Sequence, residues 1–224
     1  MIKIAGGWSR LKYWNCGEFD VVLERLNDLR KAGTPFCPQK DHIFRSLQMC
    51  PFDQVRVVLM GQDPYPDPVY PTGIAFDVDP RIPYKSLPPT LKTIFEEYNS
   101  DLGYPIPNSG SLVNWCYEGV LLWNAIPTCD AWKSKSHDWP EWKLLTQELV
   151  EELSKKGKTV FVFLGNTARQ FAQYVEPGEE VIEVSHPSPR ASRASRHPFL
   201  GSRIFSTVND KLCAQGLPPI DWRL

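Results

Sequence analysis

Cysteine occurs six times in this chain but never in clusters: positions 16, 37, 50, 116, 129 and 213 contain no C-x-x-C pair. That spacing argues against a zinc ribbon, an iron–sulfur site and a secreted disulfide framework, and it predicts reduced thiols in an intracellular protein. Histidine is scarcer, with four residues in 224, so a metal site has little to draw on and none is expected. No apolar run approaches the length of a membrane span, and MIKIAGGWSRLKYW lacks the apolar stretch of a signal peptide. No membrane partner is expected, and the cytoplasm is the simplest compartment. Linkers, repeats and low-complexity tracts are also missing, which predicts one domain over residues 1–224. Excess positive charge is missing too: 25 basic residues face 26 acidic ones. A polyanion could therefore be bound only where positive charge is concentrated locally.

One stretch concentrates it. HPSPRASRASRHPFLG, residues 186–201, carries Arg190, Arg193 and Arg196, with Arg203 just beyond, and no acid stands between Glu183 and Asp210. Elsewhere the composition is that of an ordinary globular chain, 42% hydrophobic with 8 Trp, 8 Tyr and 11 Phe.

Helical periodicity runs through EFDVVLERLNDLRK (18–31), PPTLKTIFEEY, EWKLLTQELVEELSKK (141–156), NTARQFAQYV and IFSTVNDKLCAQ. Between these lie four short apolar runs: VRVVLM (55–60), GVLLW (119–123), TVFVFL (159–164) and EVIEV (180–184). Three are nearly continuous, as strands buried on both faces should be, and the acid–apolar alternation of the fourth predicts an edge. Alternating strands and helices predict an α/β fold of three layers, α/β/α, with a central four-stranded, mainly parallel sheet flanked by helices.

In a parallel sheet the segments after the strands share one side, where open α/β folds bind ligands. Here those segments are GQDPYPDP (61–68), Asn124, Gly165-Asn166 and Ser185-His186-Pro187. The crevice would hold a carboxylate (Asp63), an imidazole (His186), a carboxamide (Asn124), and the rings of Tyr65 and Phe76. A carboxamide suits the edge of a nucleobase, and an aromatic face can stack on it. A carboxylate can orient water or stabilise a developing cation, and an imidazole can donate to a developing oxyanion. Each residue also has a plain structural alternative: an Asx turn for Asp63, a turn or cap for Asn124, a satisfied buried imidazole for His186, core packing for Phe76. Their joint position at successive strand ends favours function.

In their order and separation GQDPYP, GIAFDV, PPTL, GVLLWNAIPT and HPSP resemble the motifs of family 1 uracil-DNA glycosylases, and PQKDHIF and PIDW extend the similarity to about residues 35–222. The resemblance implies hydrolysis of the N-glycosidic bond of deoxyuridine in DNA, without metal or organic cofactor. The substrate would be uracil-containing single- or double-stranded DNA, and the enzyme a monomer. Asp63 would orient the attacking water and stabilise the oxocarbenium-like sugar, and His186 would hydrogen-bond uracil O2. Asn124 would read the base edge, Phe76 would stack, Tyr65 would exclude thymine, and Gln62 would support the pocket through its backbone. Base flipping would engage Pro88, Pro89 and Thr90, Gly165 and Asn166, Ser188, and the loop after HPSP.

That loop departs from the family pattern. Arg190 stands where an apolar wedge, usually Leu, is common, and the loop is about three residues longer. Arg190, Arg193 and Arg196 are expected to act as a cationic plug against phosphates or bases. Weak or no inhibition by the family's DNA-mimic protein inhibitor follows, since that inhibitor encloses the wedge in an apolar pocket. Pro66 replaces the usual His. A catalytically weak DNA-binding scaffold and a glycosylase of altered specificity remain the alternatives.

Overall fold

The computed structural model describes residues 6–194 and 196–224. The four apolar runs pair as one parallel sheet in the spatial order GVLLW, VRVVLM, TVFVFL, EVIEV. The strands are β2 (Val57–Gly61), β3 (Val120–Asn124), β5 (Val160–Leu164) and β6 (Glu180–Val184). Every residue of β2 and β5 is buried, whereas β6, at the edge, alternates in exposure. A two-residue antiparallel ladder joins β1 (Phe36–Cys37) to β4 (Cys129–Asp130) beside this sheet. Strands β2 and β3 are displaced C-terminally, by a residue or so, from the apolar runs that predict them. Gly61 and Asn124 are consequently register partners at the ladder's end rather than the first residues of turns.

Between and around the strands come α1 (Glu18–Lys31), α2 (Arg45–Met49), α3 (Pro89–Leu102), α4 (Val113–Tyr117), α5 (Pro140–Lys156), α6 (Asn166–Arg169), α7 (Ala191–Ala194) and α8 (Ile204–Ala214). NTARQFAQYV is thus not one helix. It forms α6 and then a tighter 3-10 turn, Ala172–Tyr174, because Phe171 turns into the core between them. Two aromatic clusters secure the outer layers. Tyr98, Trp115, Phe205 and Trp222 join α3, α4, α8 and the C-terminal segment. Trp14, Phe19, Phe44 and Trp142 join the N-terminal turns and α1 to α5. One hydrophobic core runs continuously from Trp8 to Trp222. The N-terminal segment is held by Glu148, whose two oxygens accept from the backbone N–H groups of Lys12 (2.6 Å) and Tyr13 (2.8 Å).

Helix α3 also anchors the arginine-bearing loop. Its buried Glu97 accepts from the N–H groups of Gly201 (2.6 Å) and Arg203 (2.7 Å), and Asp101 accepts from the N–H of Ser206 (2.8 Å). At the loop's other end the Ser185 hydroxyl donates to the Ala191 carbonyl and accepts from the N–H of Phe199. The loop between β6 and α8 is therefore closed at its neck by hydrogen bonds to the buried Ser185 and Glu97 side chains. Among the described residues no helix is long and apolar enough to cross a membrane.

Candidate active site

All four strand ends do open on one crevice, and the close packing there is set by missing side chains. A Cβ on Gly61 would lie 2.7 Å from the Phe76 ring and 2.9 Å from Asn124 Oδ1. One on Gly165, whose φ is +87°, would lie 2.9 Å from His186 Cβ. The glycines at the ends of β2 and β5 thus make room for Phe76, Asn124 and His186 to converge. The rings of Phe76 and His186 stand 6.3 Å apart. Asn124 holds its backbone in the ladder, while its side-chain amide makes no hydrogen bond with the described residues. Its donor and acceptor are left for a ligand.

Asp63 is the most constrained polar group of the crevice. Its Oδ1 accepts from Gln62 Nε2 at 2.8 Å; its Oδ2 accepts from Ser134 Oγ at 2.7 Å and from the Lys135 N–H at 2.6 Å. Gln62 in turn donates to Ser134 Oγ (3.2 Å) and accepts from Thr167 Oγ1 (3.2 Å). This network ties the turns after β2, β4 and β5 together around one carboxylate. The family resemblance gives Gln62 a role through its backbone. Its carbonyl does accept from the Ile126 N–H, but its side chain is what touches Asp63.

His186 is set by its own turn. The Ser188 N–H donates to His186 Nδ1 at 3.1 Å, so Nδ1 is an acceptor and the proton of the neutral ring sits on Nε2. Burial pushes this imidazole below its ordinary pKa. Asp63 opposes that shift and Lys135 adds to it. The arrangement presents a neutral ring with one N–H donor free for a ligand.

Phe76 has a left-handed backbone, φ +66°, an uncommon conformation for a bulky residue and one that marks a site where strain is held by the surroundings. What holds it is local. Tyr65 Oη donates to the Phe76 carbonyl (3.2 Å), and the next residue, buried Asp77, accepts from Thr72 Oγ1 and from the Leu112 N–H (2.6 Å). Burial pushes the Tyr65 phenol far above its ordinary range, so it stays protonated. A small cavity of about 20 Å³ is lined by Tyr65, Phe76 and Asn124, among others. A groove of about 490 Å³, lined by Gln62, Lys135, Gly165, Asn166, His186 and Arg190, adjoins it.

The remaining expected contacts fall into two groups. Asn166, Ser188 and Arg190 line the groove beside Gly165. Pro88 caps α3, with Pro89 and Thr90 in its first turn. Of the three arginines, Arg193 pairs with Glu96 of α3 at 2.8 Å, whereas Arg190 and Arg196 are exposed and make no ion pair with a described residue. The positive charge of this loop is therefore partly spent inside the molecule. Sequence reasoning missed Ser134, Lys135 and Thr167. The only signal for the first two was a polar S-K-S turn shortly after Asn124, and Thr167 carried none. It also missed what shapes that turn: buried His137 bonds Thr128 Oγ1 through Nδ1 and Asp130 Oδ1 through Nε2, both at 2.8 Å.

A family model for the uracil DNA glycosylase superfamily matches residues 47–213. The chain is 40% identical over 192 residues to the uracil-DNA glycosylase of Thermobifida fusca, an alignment covering 86% of this chain and 82% of that one. It is 38% identical to the uracil-DNA glycosylase of Acinetobacter baylyi, covering 100% of this chain and 94% of the other. The crystal structure of mimivirus uracil-DNA glycosylase superposes with a TM-score of 0.83 at 24% identity, covering 96% of this chain and 87% of that one. A variant of the mimivirus protein in complex with UGI gives a TM-score of 0.90 at 24% identity, with 100% and 89% covered. At that identity the likeness establishes the fold.

Proposed function

The chain belongs to the uracil DNA glycosylase superfamily, and we propose that it is a family 1 member acting as one unit over residues 1–224. It is a DNA-repair glycosylase, a hydrolase of N-glycosyl bonds. The observation that supports the site assignment most is the pairing, across one crevice, of a carboxylate held by three donors with an imidazole whose pKa burial lowers and whose tautomer a backbone N–H sets. Uracil extruded from the stack enters between Phe76 and Asn124, where the free carboxamide reads its edge, and Tyr65 crowds C5. The bond between sugar C1′ and uracil N1 breaks with its electron pair going to the base. His186 Nε2–H donates to O2 as negative charge collects there. Asp63 stabilises the cationic sugar and orients a water, which adds to C1′ and gives up a proton that the released uracil anion takes up by way of solvent, leaving free uracil and an abasic site. Pro88, Pro89, Thr90, Gly165, Asn166 and Ser188 hold the flanking phosphates.

The test is uracil release from single-stranded and U:G duplex oligonucleotides with chelator present. Alkali-labile strands at the uracil position are the expected product. Binding without release would favour a lesion-sensing scaffold instead.

Within this reading Arg190 takes the place of an apolar wedge, and the loop acts as a cationic plug. Arg190→Ala is expected to weaken DNA binding by roughly tenfold and to reduce the salt dependence of binding by about one phosphate contact. Arg193→Ala should do less, because its exposed pair with Glu96 is worth only about 0.2–1 kcal/mol yet competes with phosphate. Equal, unchanged salt slopes for both variants would remove the loop from the DNA contact. Burying a guanidinium in an apolar cleft is unfavourable, so the family's DNA-mimic protein inhibitor should inhibit weakly, and Arg190→Leu should strengthen inhibition.

A further inference from the structure

The loop that supplies Ser134 and the Lys135 N–H to Asp63 also carries the most exposed large hydrophobic side chain among the described residues. Trp132 is 72% exposed, and its backbone, like that of Lys135, is left-handed, with φ values of +62° and +61°. An indole in water on a disfavoured backbone is what folding alone would remove, so its retention points to a ligand. The loop is nonetheless firmly held. The Trp132 N–H donates to the Pro66 carbonyl at 2.7 Å, and the Lys133 N–H to the Asp130 carbonyl at 3.1 Å. The Ser136 hydroxyl donates to the Lys133 carbonyl at 2.9 Å and accepts from the Asp130 N–H at 2.6 Å. A bare aromatic on a pinned loop loses little conformational freedom on binding.

Its neighbours indicate what it would bind. Lys133 and Lys135 are exposed and no acid lies between Asp130 and Asp138. Asp130 is engaged by His137, and Asp138 by Lys143 at 2.9 Å. Lys135, three residues beyond Trp132 on the same loop, lines the groove that contains His186 and Arg190, so this loop forms part of the groove's wall. Aromatic faces beside lysines are the pattern of single-strand recognition, in which a base stacks while its backbone meets cations. Inside a duplex both faces of a base are already stacked.

Resting on the glycosylase reading for where the strand runs, we propose that Trp132 is a stacking platform for an unpaired nucleobase flanking the extruded one, with Lys133 and Lys135 on the adjoining phosphates. The platform favours single-stranded over double-stranded DNA.

The test uses the full chain with Trp132→Gly, which relieves the left-handed backbone and so protects folding, and Trp132→Phe, which keeps a ring. Binding is read by fluorescence anisotropy on a single-stranded oligonucleotide carrying an abasic analogue at the target, and kcat and KM are read on uracil release. Trp132→Gly should raise Kd and KM for single strands roughly tenfold with kcat unchanged, and Trp132→Phe should stay within about threefold. A second abasic position walked along either flank should cost the wild type a similar factor at one position only, and cost Trp132→Gly nothing there. Unchanged Kd in Trp132→Gly, or a loss tied to no flanking base, overturns the proposal. Because binding needs no turnover, a chain that binds in this way but releases no uracil would defeat the glycosylase reading and leave the platform standing.

Discussion

Asp63→Asn lowers kcat for uracil release by about a thousandfold or more while KM changes within a few fold. The size follows from asking one group to position water and to face a cationic sugar, contributions of about 10²–10⁴ and 10²–10³ when such groups are removed singly. The substitution is nearly isosteric, and the network shows how it would settle. Oδ2 faces the Lys135 N–H, a backbone donor that cannot turn away, so the new amide must keep its oxygen there. Its NH₂ then meets Gln62, whose own amide can flip at the cost of its 3.2 Å bond to Ser134 Oγ, because the Thr167 hydroxyl on its far side can accept as well as donate. The crevice therefore stays assembled, and the thermal midpoint should move by no more than a few degrees. Single-turnover kinetics beside a melting curve check both halves. If the Asp63→Asn enzyme retained about a tenth of wild-type kcat, Asp63 would be removed from the chemistry.

His186→Leu is the second large effect, a loss of about 10²–10³ in kcat with Kd for DNA little changed, because the donor it removes matters only as the base leaves with its charge. The pH profile carries the sharper test. Burial holds the His186 pKa below its ordinary value near 6.5, and protonation would set a new Nδ1–H against the Ser188 N–H. The rate should hold level as pH falls through the ordinary histidine range and decline only below it. A rate that rises as pH falls through 6.5 would mean that the imidazolium is the working form. Stability follows the same sign. His186 and buried His137 both have folded pKa values below the unfolded one, so the unfolded chain binds more protons under about pH 6.5. Their contribution is complete above that pH and is lost as pH falls toward the folded values. Urea midpoints between pH 5 and 8 would show it.

What the sequence determined by itself was whatever depends on short range and on order. Continuous apolar runs can be satisfied only by burial on both faces, so VRVVLM, GVLLW and TVFVFL predicted a parallel sheet, and the acid–apolar EVIEV predicted its edge. Parallel strands share a direction, so chain order alone placed the groups at their C-terminal ends, Asp63, Asn124, Gly165 and His186, in one crevice. The tertiary structure decided everything that hangs on contacts between distant segments. Three donors from residues 62, 134 and 135 meet on Asp63, and no periodicity links positions 71 or 72 apart. The left-handed backbones of Phe76 and Trp132 oppose local preference and persist because neighbours bond them. Arg193 read as free charge until α3, 97 residues away in the chain, brought Glu96 beside it. Pattern carries burial and direction along a chain, whereas a hydrogen bond or an ion pair depends on angstrom-scale distances that only the packed layers set.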